Sequence, residues 1–385
     1  MPPSPSRRRL LAAGVAGALP AFEPALLGRP AWAAPSEPAP PRADELQRPP
    51  AARPAGAVGS LLERADGTRI DSWEAWLVER ARLRDAWLGF LGPWESGPVP
   101  AGYRELAGPV VDAADGLRRR RIAFHTEPDL EVEAWLVEPP GAPPSAGRPG
   151  AVVFHSTTDR TIDEVADPDP SAPAAIGSWL ARAGFVVLCP RCHLWNGSVD
   201  GRLDTAGAVA RLAARHPGAR GMRKLLHDGI RAVDLLASLP GVDAARIVTA
   251  GHSLGAKEAL YLAAFDERVG GAVASEGGIA IAFSNWTAPW YLGAEAGEAG
   301  FGLDHAGLVA LSLPRGLLVL GGEAGPGAAD GDRSWPTIGR ALEVGRLREP
   351  RPWLGLFNHR AGHSLPREAR ERLVEWLVAS AGRGT

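Results

Sequence analysis

The stretch Ile247-Val248-Thr249-Ala250-Gly251-His252-Ser253-Leu254-Gly255-Ala256-Lys257 constrains the fold more than any other part of the chain. A short β-branched run enters Gly-x-Ser-x-Gly, and an Ala/Leu-rich helical pattern from Glu258 to Phe265 leaves it. That order describes a strand, a sharp turn and a helix. At the tip of such a turn Ser253 projects its hydroxyl clear of the backbone. Gly251 and Gly255 remove the Cβ atoms that would collide where strand and helix nearly touch. The helix starts with its amides aimed at any negative charge that develops beside Ser253, and the amide of Leu254 is the expected donor. Gly-x-Ser-x-Gly alone is ordinary loop composition; the strand before it and the helix after it make it a nucleophile elbow.

The flanking pattern sets the elbow in a larger architecture. Strand-like runs at 119–125 and 130–137, and short apolar runs at 151–154, 185–188, 246–250, 271–275, 315–320 and 353–357, read as strands. Residues 174–183, 222–239, 335–347 and 367–379 read as helices. Strands alternating with helices give an α/β fold, a mostly parallel central sheet with helices on both faces. Such sheets bind ligands at the carboxyl ends of their strands, which is where Ser253 lies.

Four segments are expected. Residues 1–34 resemble a twin-arginine export signal: Ser6-Arg7-Arg8-Arg9-Leu10-Leu11, a short apolar stretch and a small-x-small site at Ala31-Trp32-Ala33. The apolar stretch is broken by Gly14, Gly17 and Pro20, so it predicts no stable membrane anchor. Residues 35–60 are rich in Pro and Ala and read as an extended tether. Residues 61–115 form an N-terminal helical extension, with a long helix over 71–91 whose tryptophans face the core. Residues 116–385 form the catalytic domain, and the 45% apolar content is enough for a sizeable core. A net charge of −2 gives no electrostatic reason to expect a nucleic-acid partner.

A nucleophilic serine needs a base. Of the nine histidines, only His359 and His363 follow the last strand, and His363 lies on the glycine-flanked turn before the final helix. His363 is the expected base. The acid has three candidates: Asp330 and Asp332 in the loop after strand 315–320, and Glu276 at the end of strand 271–275. Asp332 is favoured over Glu276, and either carboxylate would orient the imidazole. The second oxyanion donor is expected at a backbone amide near Ser156, in the loop after Phe154. Trp286 and Trp290, with Trp195 on the same edge, are candidate rim aromatics that would stack on a substrate. Cys189 and Cys192 form a Cys-x-x-Cys, for which a redox motif and a local disulfide are open readings; small packing residues are the preferred one, since a metal site would need two more ligands and only His193 is close in sequence.

Taken together these residues resemble the α/β-hydrolase superfamily from 117 to the C-terminus, and within it the dienelactone hydrolase and acetyl xylan esterase group. A narrower likeness is to the glucuronoyl esterases. That family carries Lys four residues after its nucleophile, as Lys257 does, and Glu-Ser-Gly where this chain has Glu276-Gly277-Gly278. The likeness implies that Lys257 contacts substrate oxygens and that Glu276 is the acid. The family has Arg after the nucleophile and Cys before it, where this chain has Leu254 and His252. The expectation is an exported, periplasmic or extracellular serine hydrolase that cleaves carboxylic esters through an acyl-enzyme, with no metal or organic cofactor. Its substrate would be a small-molecule or carbohydrate-linked ester of acetyl or glucuronoyl type. A serine peptidase of the same fold and a catalytically dead binding module are the rival readings.

Overall fold

The computed structural model describes residues 41, 43–50, 59–64, 66–106, 111–112, 115–198 and 200–383. The expected export signal, 1–34, lies outside the described residues. In chain order the first elements are α1 (Ala43–Leu46), α2 (Trp73–Leu91), β1 (Tyr103–Glu105), β2 (Val111–Asp112), β3 (Arg118–Glu127), β4 (Leu130–Glu138) and β5 (Arg148–Phe154). They are followed by α3 (Ile162–Val165), α4 (Ile176–Arg182), β6 (Val186–Pro190), α5 (Thr205–Arg215), α6 (Gly221–Ser238), β7 (Val242–His252) and α7 (Leu254–Phe265). The last are β8 (Val269–Ser275), α8 (His305–Leu311), β9 (Gly316–Gly321), α9 (Trp335–Gly345), β10 (Leu354–Asn358) and α10 (Arg367–Ala381).

All the strands join one sheet, ordered β1-β3-β4-β6-β5-β7-β8-β9-β10, with β2 alongside β3. From β6 to β10 every pairing is parallel, while β1 to β4 add an antiparallel wing that meets β6. Strand alternation sorts the core into two layers. Leu317 and Val319 of β9 pack on one side with α2, α6, α7, α8 and α9; Leu318 and Leu320 pack on the other with α4 and α10. Every residue of α7 is buried, so the helix behind the elbow is walled in on all sides.

Two sequence expectations are corrected. The extension at 61–115 is not wholly helical, because β1 and β2 pair with β3 and belong to the sheet. The tether at 35–60 is not extended throughout: α1 docks on β10, with Leu46 2% exposed and Gln47 Nε2 donating to the carbonyls of Leu354 (3.0 Å) and Pro352 (3.3 Å). Trp76 and Trp87 of α2 are fully buried, as the apolar spacing of that helix predicts.

Candidate active site

The elbow closes as tightly as its glycines require. Ser253 adopts φ 58° and ψ −113°, a strained conformation for a residue with a side chain. A Cβ on Gly251 would lie 2.2 Å from the Gly255 carbonyl carbon, and one on Gly255 would lie 2.3 Å from the Phe154 carbonyl oxygen. Neither position tolerates a side chain. Leu254 opens α7, and its side chain is buried.

Glu276 stands beside Ser253 by register. β7 and β8 run parallel with His252 opposite Ser275, so Ser253 and Glu276 are the next residues on neighbouring strands. The Ser253 amide donates to the Ser275 carbonyl at 2.8 Å. Glu276 also has a positive φ, 57°, which turns its side chain out of the strand path. Its carboxylate is buried. Oε1 accepts the amide of Gly322, and Oε2 accepts the amide of Ala329 at 2.5 Å. His363 Nδ1 lies 3.5 Å from the same Oε2, within ion-pair distance but without a formed hydrogen bond.

The histidine is brought there by a loop fastened to the end of β9. The His359 amide donates to the Gly321 carbonyl (2.8 Å) and the Gly362 amide to the Gly322 carbonyl (3.2 Å). Gly362 has φ +77°, and a Cβ on Gly322 would strike its carbonyl oxygen at 1.9 Å. Two glycines therefore let this loop lie against the carboxylate. His252, the residue before the nucleophile, lies with its ring centroid 4.7 Å from that of His363.

The two aspartates do other work, which corrects the preference for Asp332 as the residue at the histidine. Asp332 Oδ1 accepts from Asn358 Nδ2 and Oδ2 pairs with Arg360, both at 2.9 Å. Partial burial raises its pKa, but these partners together outweigh that and hold the carboxyl below its ordinary value. Asp330 is buried under the loop that follows Glu276. It accepts the amides of Gly278 (2.8 Å) and Ile279 (2.7 Å) and the hydroxyl of Ser334 (2.9 Å), and burial pushes its pKa up.

Several expected binding residues also fall elsewhere. The Ser156 amide donates to Glu164 Oε2 at 2.8 Å, so it is already engaged. His155 fixes that loop: its Nδ1 lies 2.7 Å from the Ser156 carbonyl and its Nε2 accepts the Cys192 amide at 3.1 Å. That pattern puts the proton on Nδ1, and burial lowers the His155 pKa to about 4, so the ring is neutral. Trp286 is fully buried with Nε1 on the Gly278 carbonyl (2.7 Å), and Trp195 is buried with Nε1 on Asp159 (3.3 Å). Trp290 is half-buried and packs on the core. The first two are internal braces and not rim platforms. Lys257 is 3% exposed; its Nζ donates to the Gly277 carbonyl and to Ser284 Oγ (2.8 Å), 4.2 Å above the Trp286 ring. Burial drives the Lys257 pKa down to about 7. Its contacts hold the loop after Glu276 from within.

Sequence reading missed Glu164, His305 and the part played by His252. His305 Nδ1 lies 3.1 Å from the Ile279 carbonyl, and its Nε2 lies 3.1 Å from the Tyr261 hydroxyl. No motif marks such residues; only the fold brings them to the loop. Cys189 and Cys192 are free and buried, and burial raises both thiol pKa values, so neither is a poised thiolate. Among the described residues no group of three His, Cys, Asp or Glu could hold a metal ion.

Comparison with known proteins bears on the fold that carries this site. Residues 132–286 match the dienelactone hydrolase family. Among solved structures, the fold is similar to a glucuronoyl esterase from Solibacter usitatus, at 16% identity over 86% of this chain and 99% of that one, with a TM-score of 0.64. It is also similar to a CE15 glucuronoyl esterase from Teredinibacter turnerae, at 20% identity over 83% and 88%, with a TM-score of 0.60. A glucuronoyl esterase from Sporotrichum thermophile gives 15% identity over 82% and 85%, with a TM-score of 0.52. No curated protein sequence matches the chain. Residues 132–286 are thus similar to the dienelactone hydrolase family, and they lie within an α/β-hydrolase-like fold.

Proposed function

We propose that this chain is an exported serine hydrolase that cleaves carboxylic esters, with Ser253 as nucleophile, His363 as general base and Glu276 as the carboxylate that orients the imidazole. One observation supports this above all. Ser253 and Glu276 sit side by side at two strand ends, and the ring of His363 meets the carboxylate at 3.5 Å. Catalytic hydrogen bonds are often long or poorly aligned without substrate and tighten when it binds.

In this reading His363 Nε2 takes the Ser253 hydroxyl proton as Oγ attacks the ester carbonyl carbon. The resulting oxyanion is received by the Leu254 amide at the start of α7. The second donor falls to the exposed Thr157, because the Ser156 amide is held by Glu164. Collapse breaks the bond to the alcohol, which leaves with the proton from His363. Water then gives a proton to His363 as it attacks the acyl carbon, and collapse breaks the bond to Oγ, returns that proton to Ser253 and releases the acid. Glu276 steadies the imidazolium, as two backbone amides already hold it.

The proposed substrate class is a carbohydrate-linked carboxylic ester, on the likeness to glucuronoyl esterases. Export rests on the arginine-rich leader. No helix among the described residues is long and apolar enough to cross a membrane. A fluorophosphonate should label Ser253 stoichiometrically and fail to label Ser253→Ala. A parallel screen of acetylated sugars, methyl glucuronates and aryl esters should find turnover in at least one. Absence of both labelling and turnover would point to a binding module, and cleavage of peptide anilides to a peptidase. Replacing Arg7 and Arg8 by Lys should trap the protein in the cytoplasm.

A further inference from the structure

His252 lies at the junction of the three residues assigned above, and none of their roles employs it. It is bonded to Ser253 through the chain. Its Nδ1 lies 3.0 Å from Ser275 Oγ, in the residue that precedes Glu276. Its ring faces that of His363, with planes inclined by 44° at 4.7 Å between centroids. The side chain is 7% exposed, so these contacts are made inside the protein. His363, by contrast, is 30% exposed and rides a loop, and its one link to Glu276 is long. That link alone does not fix the imidazole about its Cβ–Cγ bond.

We propose that His252 is a positioning residue whose ring holds the His363 imidazole with Nδ1 turned to Glu276 and Nε2 turned to Ser253. The inference rests on the assignment of Ser253, His363 and Glu276. Two further observations agree with it. Ser275 is fully buried, so its hydroxyl needs the polar partner that His252 supplies and an aliphatic wall would not. Burial, reinforced by the neighbouring His363 and His359, lowers the His252 pKa to about 3, so the wall carries no charge beside an imidazolium. A cationic neighbour there would disfavour proton transfer to His363.

The test separates the ring from its hydrogen bond in the full-length protein. His252→Phe keeps a flat ring and loses Nδ1; His252→Asn keeps a polar group and loses the ring; His252→Ala loses both. With an aryl ester, the Ala and Asn variants should lose about 10- to 100-fold in kcat with KM held within about twofold, while Phe stays within about threefold of wild type. The acid limb of the kcat/KM profile should shift in Ala and Asn alone, because the imidazole they release no longer keeps its place against Glu276. Wild-type kcat and an unmoved limb in folded Ala or Asn variants would overturn the proposal. So would a Phe variant as slow as Asn when both melt with the wild type. If Ala fails to fold, the Phe and Asn pair decides. Ser253→Ala is the control: turnover surviving in it would sink the site assignment itself, whereas a dead Ser253→Ala beside a fully active His252→Asn sinks only the role of His252.

Discussion

Glu276 reaches His363 because its own backbone leaves the sheet at φ 57°, a conformation rare in side chains of its length. Removing the negative charge should therefore matter more than at Asp332, which pairs with Asn358 and Arg360. Glu276→Gln is expected to lower kcat by about 10²- to 10⁴-fold and Asp332→Asn by less than about threefold, read from initial rates on an aryl ester. The reverse order would return the acid to the loop after β9. Lys257 offers a second residue-scale test. Its proton is held to about pH 7 in the folded protein and to 10.5 as the ordinary value. Between those limits the unfolded chain binds the proton and the folded one does not, so stability rises with pH across that window and the cost of burial is full below it. Urea titrations should show a rise from pH 6 to 10 in wild type that is shallower in Lys257→Met; equal slopes would mean the ammonium is well solvated. Ser253 and His363 stood out in the sequence as candidates because chain order and turn chemistry mark them. The acid was left open there: position after the strand favoured Asp332, the likeness at Glu276-Gly277-Gly278 implied Glu276, and the register of β7 on β8 sets Glu276 beside Ser253.

At the scale of elements, the elbow was readable because a steric contact dictates its spelling. Gly255→Ala would drive a methyl group to 2.3 Å from the Phe154 carbonyl oxygen. It is expected to cost about 1–3 kcal/mol in denaturant unfolding and to abolish fluorophosphonate labelling, as the helix start moves away from the nucleophile. Wild-type labelling would show that the elbow opens without harm. The parallel strands were found because each is a short run buried on both faces. β1 and β2 were missed, being two or three residues long at the sheet edge with little apolar content. α5 was missed because only Ala208 and Leu212 mark its buried stripe, and α8 because all seven residues are buried and show no period.

Across the whole molecule, the N-terminal helix supports the site from behind. Trp87 of α2 packs 5.6 Å from His305 and 5.9 Å from Tyr261, and His305 in turn meets the Ile279 carbonyl in the loop after Glu276. Trp87→Ala should cost about 3–5 kcal/mol by leaving a core void. It should also slow turnover in the fraction that stays folded, measured below the melting transition. Unchanged turnover would mean that the loop after Glu276 holds its shape unaided. One more consequence follows from the docking of Ala43–Leu46 and Gln47 on the outermost strand, β10. A raw sheet rim recruits strands from its neighbours, and the leading segment works as a guard rail against that. Cutting the chain back past residue 50 should turn a monodisperse sample into a self-associating one by light scattering, with Ser253 still reactive until clumping hides it.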